Sequence, residues 1–224
     1  AVARQAEADD AVSAAIVAQP LAREYEAITS WERLSHWLER LQASELAALD
    51  TETDSLDHLR ARIVGLSFAT EPGRAAYVPL RHNYPDAPAQ LPLDEVLARL
   101  RPWLEDASRA KLGQNVKYDQ HVFANHGIAV QGYAHDTLLE SYVLEAHLKH
   151  GLESLAERHL GRSGLSYEDL CGKGASQIPF AQVDVAKATQ YSGEDSEMAL
   201  HVHAKLWPQV EADANAAVRR INDG

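Results

Sequence analysis

Cysteine is almost missing from this chain: Cys171 is the only one in 224 residues. A single thiol excludes an internal disulfide and leaves no cysteine-based zinc site, which fits a reducing compartment. Long apolar runs are absent too. No stretch of about 18 uninterrupted apolar residues offers a membrane span. The N-terminus lacks the basic-then-apolar pattern of a secretion signal, so a cytoplasmic protein without a membrane partner is expected. Positive charge is scarce, with 21 Lys and Arg against 33 Asp and Glu for a net charge of −12. That argues against broad clamping of duplex nucleic acid, which relies on Lys and Arg displacing counterions from phosphates. An anionic substrate held through metal ions stays open, because acids that bind divalent cations invert the local field.

What is present suffices for a core: 46% of residues are hydrophobic, enough for one large domain or two small ones. Residues 1–22 are rich in Ala, Asp and Gln, lack aromatics and include Pro20; they read as a linker or loosely docked segment. Residues 23–224 read as the folded unit. Over 30–42, Ser30 precedes Trp31, Leu34, Trp37, Leu38 and Leu41 at helical spacing. SELAALDTE, RIVGLSFAT and AAYVPL predict a three-stranded meander, with EPGR as a turn. Helices are expected near 93–105, 115–126, 136–147 and 152–160, with the short apolar AKLG before the second. Residues 161–182 predict an extended loop, and a long helix over about 184–207 is expected to stop at Pro208. Strands followed by interleaved helices predict an α/β fold, a mixed sheet covered by helices.

The acids carry the chemistry. Asp50 and Glu52 are two apart on a predicted strand and project from one face. In the last helix Val185, Ala188, Ser192, Asp195, Ala199, Val202 and Leu206 form a buried stripe. Asp195 sits at its centre and Tyr191 one turn earlier. Asp119 lies in the first turns of a helix beginning near Asn115, with Gln114, Asn115 and Tyr118 as polar neighbours. Any one of these acids reads most simply as a cap, an ion pair or a solvated side chain. Together they call for cations, and oxygen-only ligands favour Mg²⁺ or Mn²⁺ over zinc.

DTETDSLD, VGLSFA, AAYVPL, GQNVKYD, DTLLESYVLEAH, SLAERHLG, GKG and YSGED occur in the order found in the 3′–5′ proofreading exonuclease domain of bacterial A-family DNA polymerases, of the DNA polymerase I type, which this chain resembles from about Tyr25 to Pro208. The resemblance implies a ribonuclease H-like fold, a mixed central β-sheet flanked by α-helices, making 23–224 the exonuclease domain. It implies two divalent cations, Mg²⁺ or Mn²⁺, with Asp50, Glu52, Asp119 and Asp195 as ligands and Tyr191 helping to hold the attacking water. One ion is expected on Asp50, Glu52 and Asp195, the other mainly on Asp50 and Asp119. Thr53, Leu56, Gln114, Asn115, Tyr118 and Tyr167 fall where the family contacts terminal nucleotides, Tyr167 in place of a phenylalanine. Lys149 falls near a DNA-contacting arginine, in a segment one residue shorter than the family pattern. Ser192-Gly193 replaces two alanines, which is expected to loosen the helix between Tyr191 and Asp195. The implied partner is a single-stranded or frayed DNA 3′ end. A covalently linked polymerase domain, absent from this sequence, is also implied.

Two rival functions share these residues: a ribonuclease D-like exoribonuclease and a non-catalytic polymerase module. Other motifs are weaker. CGKGAS lacks the Ser or Thr that a phosphate-binding loop requires after its lysine. His201 and His203, two apart on a helix, face different ways and cannot share one ion. The four tryptophans read as packing aromatics.

Overall fold

The computed structural model describes residues 23–222, so the linker reading of residues 1–22 lies outside the described residues. The chain begins with β1 (Glu24–Ala27), α1 (Trp31–Ala43), β2 (Leu46–Thr53), β3 (Ile63–Glu71) and β4 (Arg74–Pro79). It continues through α2 (Leu93–Leu104), β5 (Ala110–Gly113), α3 (Val116–Ala124), β6 (Tyr133–Asp136) and α4 (Thr137–Glu145). α5 (Leu152–Leu160), α6 (Tyr167–Cys171) and the long α7 (Val185–Asn222) complete it.

The six strands form one mixed sheet in the order β1-β4-β3-β2-β5-β6. β2, β3 and β4 are the expected antiparallel meander, and β1, β5 and β6 join it in parallel. β1 and β6 are short edge strands that sequence pattern alone did not reveal. The expected loop over 161–182 contains α6, which opens with a reciprocal capping box between Ser166 and Asp169.

Helices cover both faces of the sheet. On one, Leu34, Trp37 and Leu41 of α1 and Val96, Leu100 and Trp103 of α2 pack on Leu49, Leu66 and Phe68. Ser30 caps α1 by accepting from the Arg33 N–H at 3.3 Å. α7 covers the other face, where small side chains meet: Ala48, Ala69 and Ala75 lie on the sheet, and the Ser67 and Ser196 hydroxyls share a hydrogen bond of 2.6 Å. Small residues let helix and sheet approach closely, and that closeness positions the site.

α7 does not stop at Pro208 as expected; it runs through it to Asn222. A helix-interior proline removes one N–H and crowds the carbonyl four residues earlier. Both Ala204 and Pro208 are exposed, so water can take up the freed carbonyl and the helix persists. Asp184 starts α7, its carboxylate accepting from the Ala186 and Lys187 N–H groups at 3.0 and 3.2 Å.

Candidate active site

β2 runs between β3 and β5, and side-chain alternation divides its residues between two covered faces. Ala47 and Leu49 enter the core under α1 and α2, while Ala48 lies under α7. Asp50 and Glu52 share the face of Ala48 and turn toward α7. There the Ser192 hydroxyl donates to Glu52 Oε1 at 2.7 Å. On the opposite face, the Thr51 hydroxyl donates to Asp119 Oδ1 at 2.6 Å. Thr53 and the Tyr118 hydroxyl share a bond of 2.6 Å. The β2–β3 register shifts between Glu52 and Thr53, an irregularity of the kind that re-aims side chains at a strand end.

Asp119 reaches this strand because α3 begins abruptly. Asn115 adopts φ +62°, a left-handed conformation that asparagine tolerates better than most residues. The carboxylate of Asp136 then accepts from the Asn115 and Val116 N–H groups at 2.9 and 3.0 Å, and from Leu138 at 3.0 Å. One side chain thus caps the starts of both α3 and α4.

The four acids form one electrostatic group. Burial pushes the Asp50 carboxyl up to about 6. Burial, and then the nearby Asp50 charge, raises Glu52, Asp119 and Asp195 well above the ordinary carboxylate range. Asp50 is their common neighbour. Tyr191 lies one turn before Asp195, and burial followed by the charges of Asp195 and Glu52 keeps its phenol protonated. Glu52 and Asp119 are buried, whereas Asp50 and Asp195 keep an edge open to solvent. The Tyr133 hydroxyl is also buried, has no hydrogen-bond partner among the described residues, and lies in the field of Asp119 and Asp50.

Two cavities flank the acids. A cleft of about 500 Å³ is lined by Glu52, Thr53, Leu56, Tyr118, Tyr167 and Phe180, among others. Tyr167 stacks on Phe180 at 6.3 Å between ring centres, and Phe180 lies 6.2 Å from Tyr191, so an aromatic row leads toward the acids. Leu56 is 94% exposed at the lip. A recess of about 90 Å³ on the other side is lined by Asp50, Gln114 and Asp195. Asn115 stands exposed at the start of α3. Lys149 is not in either cavity; it lines a separate exposed groove with Leu148, Ser154, Glu157 and Arg158.

Ser192, Thr51 and Phe180 hold or extend this site and were not singled out for it from the sequence. Ser192 had a visible signal, since it lies on the buried stripe with Asp195. Its neighbour Gly193 packs against Tyr25 of β1, where an added Cβ would come within 3.0 Å of the ring. α7 is continuous through the pair, so the two residues bring specific contacts to a helix expected only to loosen there.

As a donor set the four carboxylates fit hard divalent ions: oxygen ligands, uncompensated negative charge, and no described cationic side chain among the groups that perturb them. No three of them bring one oxygen each within 4.8 Å of one another. They border a shared space and do not meet at a point.

A family model described as 3′–5′ exonuclease matches residues 25–211. DNA polymerase I of Pseudomonas aeruginosa is 45% identical over 192 residues, 84% of this chain and 21% of that protein. DNA polymerase I of Rhizobium leguminosarum is 36% identical over 206 residues, 84% of this chain and 20% of that protein. The chain therefore spans about a fifth of these relatives. Among solved structures, Brucella melitensis NrnC superposes with a TM-score of 0.60 at 21% identity, covering 87% of this chain and 84% of that one. Escherichia coli RNase D, titled an exoribonuclease, superposes with a TM-score of 0.60 at 20% identity, covering 85% and 46%. These two likenesses concern the fold, which is the expected ribonuclease H-like one. With the family model covering most of its length and close relatives among bacterial polymerases, the chain belongs to the 3′–5′ exonuclease domain family of DNA polymerase I.

Proposed function

We propose that this domain removes nucleotides from DNA 3′ ends by hydrolysing the terminal phosphodiester, releasing nucleoside 5′-monophosphates. The observation that carries this reading is the convergence of Asp50, Glu52, Asp119 and Asp195 beside Tyr191 at the end of a central strand, next to an aromatic-lined cleft. Asp50, Glu52, Asp119 and Asp195 would hold two divalent cations, Mg²⁺ or Mn²⁺. When bound, such ions neutralise charge on the phosphate and make water acidic enough to supply hydroxide at neutral pH.

The chain's own residues do the rest. Tyr191, held as the neutral phenol, and Glu52, fixed by Ser192, orient the attacking water. Tyr118 is locked by Thr53 and by donating to the Ser55 carbonyl at 2.6 Å, giving the cleft a firm wall. Tyr167 and Phe180 offer ring faces to unstacked bases, a sequence-tolerant contact. Leu56 is placed to wedge against the last base. Gln114 lines the recess beside Asp50 and Asp195, and Asn115 stands at its helix start; both are assigned to the terminal nucleotides. Lys149 is assigned a more distant phosphate.

A paired end must melt before it can enter, so frayed or mismatched termini are preferred, which is the basis of proofreading. The relatives' length supports a covalently linked polymerase domain that delivers the end, and their DNA polymerase identity, with the single cysteine, supports a cytoplasmic setting. The test follows a 5′-labelled single-stranded oligonucleotide with Mg²⁺, with chelator, and with Asp119→Ala. Stepwise shortening is expected in the first case only, and undiminished shortening by the variant would overturn the assignment. The ribonuclease D-like alternative is decided by the same assay on matched RNA and DNA, with DNA expected to turn over faster. Metal titration by calorimetry separates either enzyme from a non-catalytic module.

A further inference from the structure

We propose that His135, Glu140 and His203 form a binding site for a divalent transition ion of the zinc class, distinct from the four-carboxylate centre. The three come from separate elements: edge strand β6, helix α4 and the middle of α7. One donor atom from each lies within 4.8 Å of the others, the only such trio among the described residues. His203 Nδ1 is 2.8 Å from Glu140 Oε1, and His135 Nδ1 is 3.3 Å from the same oxygen. A tetrahedral ion with bonds of 2.0–2.1 Å needs donors about 3.4 Å apart. The His203–Glu140 pair would open by about 0.6 Å to reach that spacing, and the His135–Glu140 pair is already close to it.

The trio is incompletely satisfied as it stands. Glu140 is only 5% exposed, yet among the described residues its Oε2 has no hydrogen-bond partner, and His135 Nδ1 is likewise buried without one. Among the described residues, no Lys or Arg pairs with Glu140; its close charge partners are these two imidazoles. A buried carboxylate oxygen left without a partner is unfavourable unless a cation or a proton compensates it.

The donor set and its surroundings select the ion. Two nitrogens and one carboxylate suit a borderline-soft ion, whereas Mg²⁺ wants six oxygens. Trp207 closes one side, its ring 4.4 Å from that of His135 and 6.0 Å from that of His203. An adjoining cavity of about 280 Å³, lined in part by Tyr133, Leu139, Val143 and Val210, leaves room for a water as fourth ligand. His203 lies about 12 Å along α7 from Asp195, and His201 points elsewhere, to Glu197 at 3.3 Å. A bound ion would fasten the sheet edge and α4 to α7.

The test is independent of nuclease activity. The chain carrying Asp50→Ala and Asp119→Ala, stripped with chelator, is titrated with Zn²⁺ against a chromophoric competitor. One equivalent is expected to bind with a dissociation constant below about 1 μM, and His135→Gln with His203→Gln should weaken it at least 100-fold. Glu140→Gln should weaken it about tenfold or more. Circular dichroism confirms that each variant is folded. Co²⁺ added to the chain with both imidazoles intact gives a second readout, intense visible bands of a low-coordinate site, which the imidazole variants should lose. Equal Zn²⁺ affinity with and without the two imidazoles, or a Co²⁺ spectrum no different from the aqueous ion, would overturn the proposal.

Discussion

At Glu52 two influences oppose each other: burial and the Asp50 charge push its carboxyl up, while the hydrogen bond from Ser192 pulls it down. Removing the hydroxyl leaves the upward influences unopposed. Ser192→Ala is therefore expected to shift the acid limb of the pH–rate profile for excision toward higher pH, with a rate loss of about tenfold at neutral pH. A profile superimposable on the parent's would show that Ser192 does not position Glu52. Asp50 allows a test on stability. Its carboxyl is raised to about 6 from an unfolded value near 3.9, so over about pH 4–6 the folded chain binds more protons than the unfolded one. Stability from this group is present at low pH and lost as pH rises through that window. In chelator, Asp50→Asn should be the more stable chain above pH 6, by about 2–3 kcal/mol, and should match the parent near pH 4. Urea midpoints measured across pH decide this, and parallel curves for the two chains would contradict it. Asp50 with Glu52, and Tyr191 with Asp195, could be paired in the sequence by strand and helix periodicity, whereas Asp119 stood out by its place in the first turns of a helix and by the family resemblance. Thr51 was not, because its role depends on a partner far along the chain that no local pattern reveals.

Among the elements, those buried on both sides were the easiest to read. β2, β3 and β4 are apolar runs long enough to signal themselves, whereas β1 and β6 are four-residue edge strands whose pairing partners lie far away in sequence. The end of α7 was misread because a proline's propensity outweighed its exposure. Pro208→Ala should restore one hydrogen bond and raise stability, by up to about 3 kcal/mol, measured by thermal unfolding; a lowered midpoint would mean the proline has a packing role. The contact between β3 and β4 is less forgiving. A Cβ on Gly65 would fall 2.0 Å from the Tyr77 hydroxyl, and that ring is fully buried and hydrogen-bonded to His82 at 2.8 Å. Gly65→Ala is expected to cost about 2–3 kcal/mol. An unchanged urea midpoint would mean that the ring can move aside.

For the molecule as a whole, net charge and cleft composition agree. The chain carries −12, and among the described residues lining the large cleft there is no Lys or Arg. Affinity for a single strand should then come from stacking and bound cations more than from phosphate neutralisation. Plotted as log KM against log monovalent salt at fixed Mg²⁺, excision should show a slope smaller in magnitude than about 2. A steep slope would place a basic track outside the cleft, with Lys149 and Arg158 the first candidates to mutate. Weak intrinsic capture also suits a domain that, in its relatives, is about a fifth of a longer chain. In the proposed setting, a tethered polymerase would raise the effective concentration of the DNA end without any new contact here.

The placement of Asp195 on α7, against a strand formed near the beginning of the fold, has a consequence during synthesis. A ribosome that has released everything up to α6 has made three of the four carboxylates but neither Asp195 nor the Phe180 side of the cleft. On the proposed function, competence to cut would arise only when the last helix docks, so chains ending before α7 would lack it.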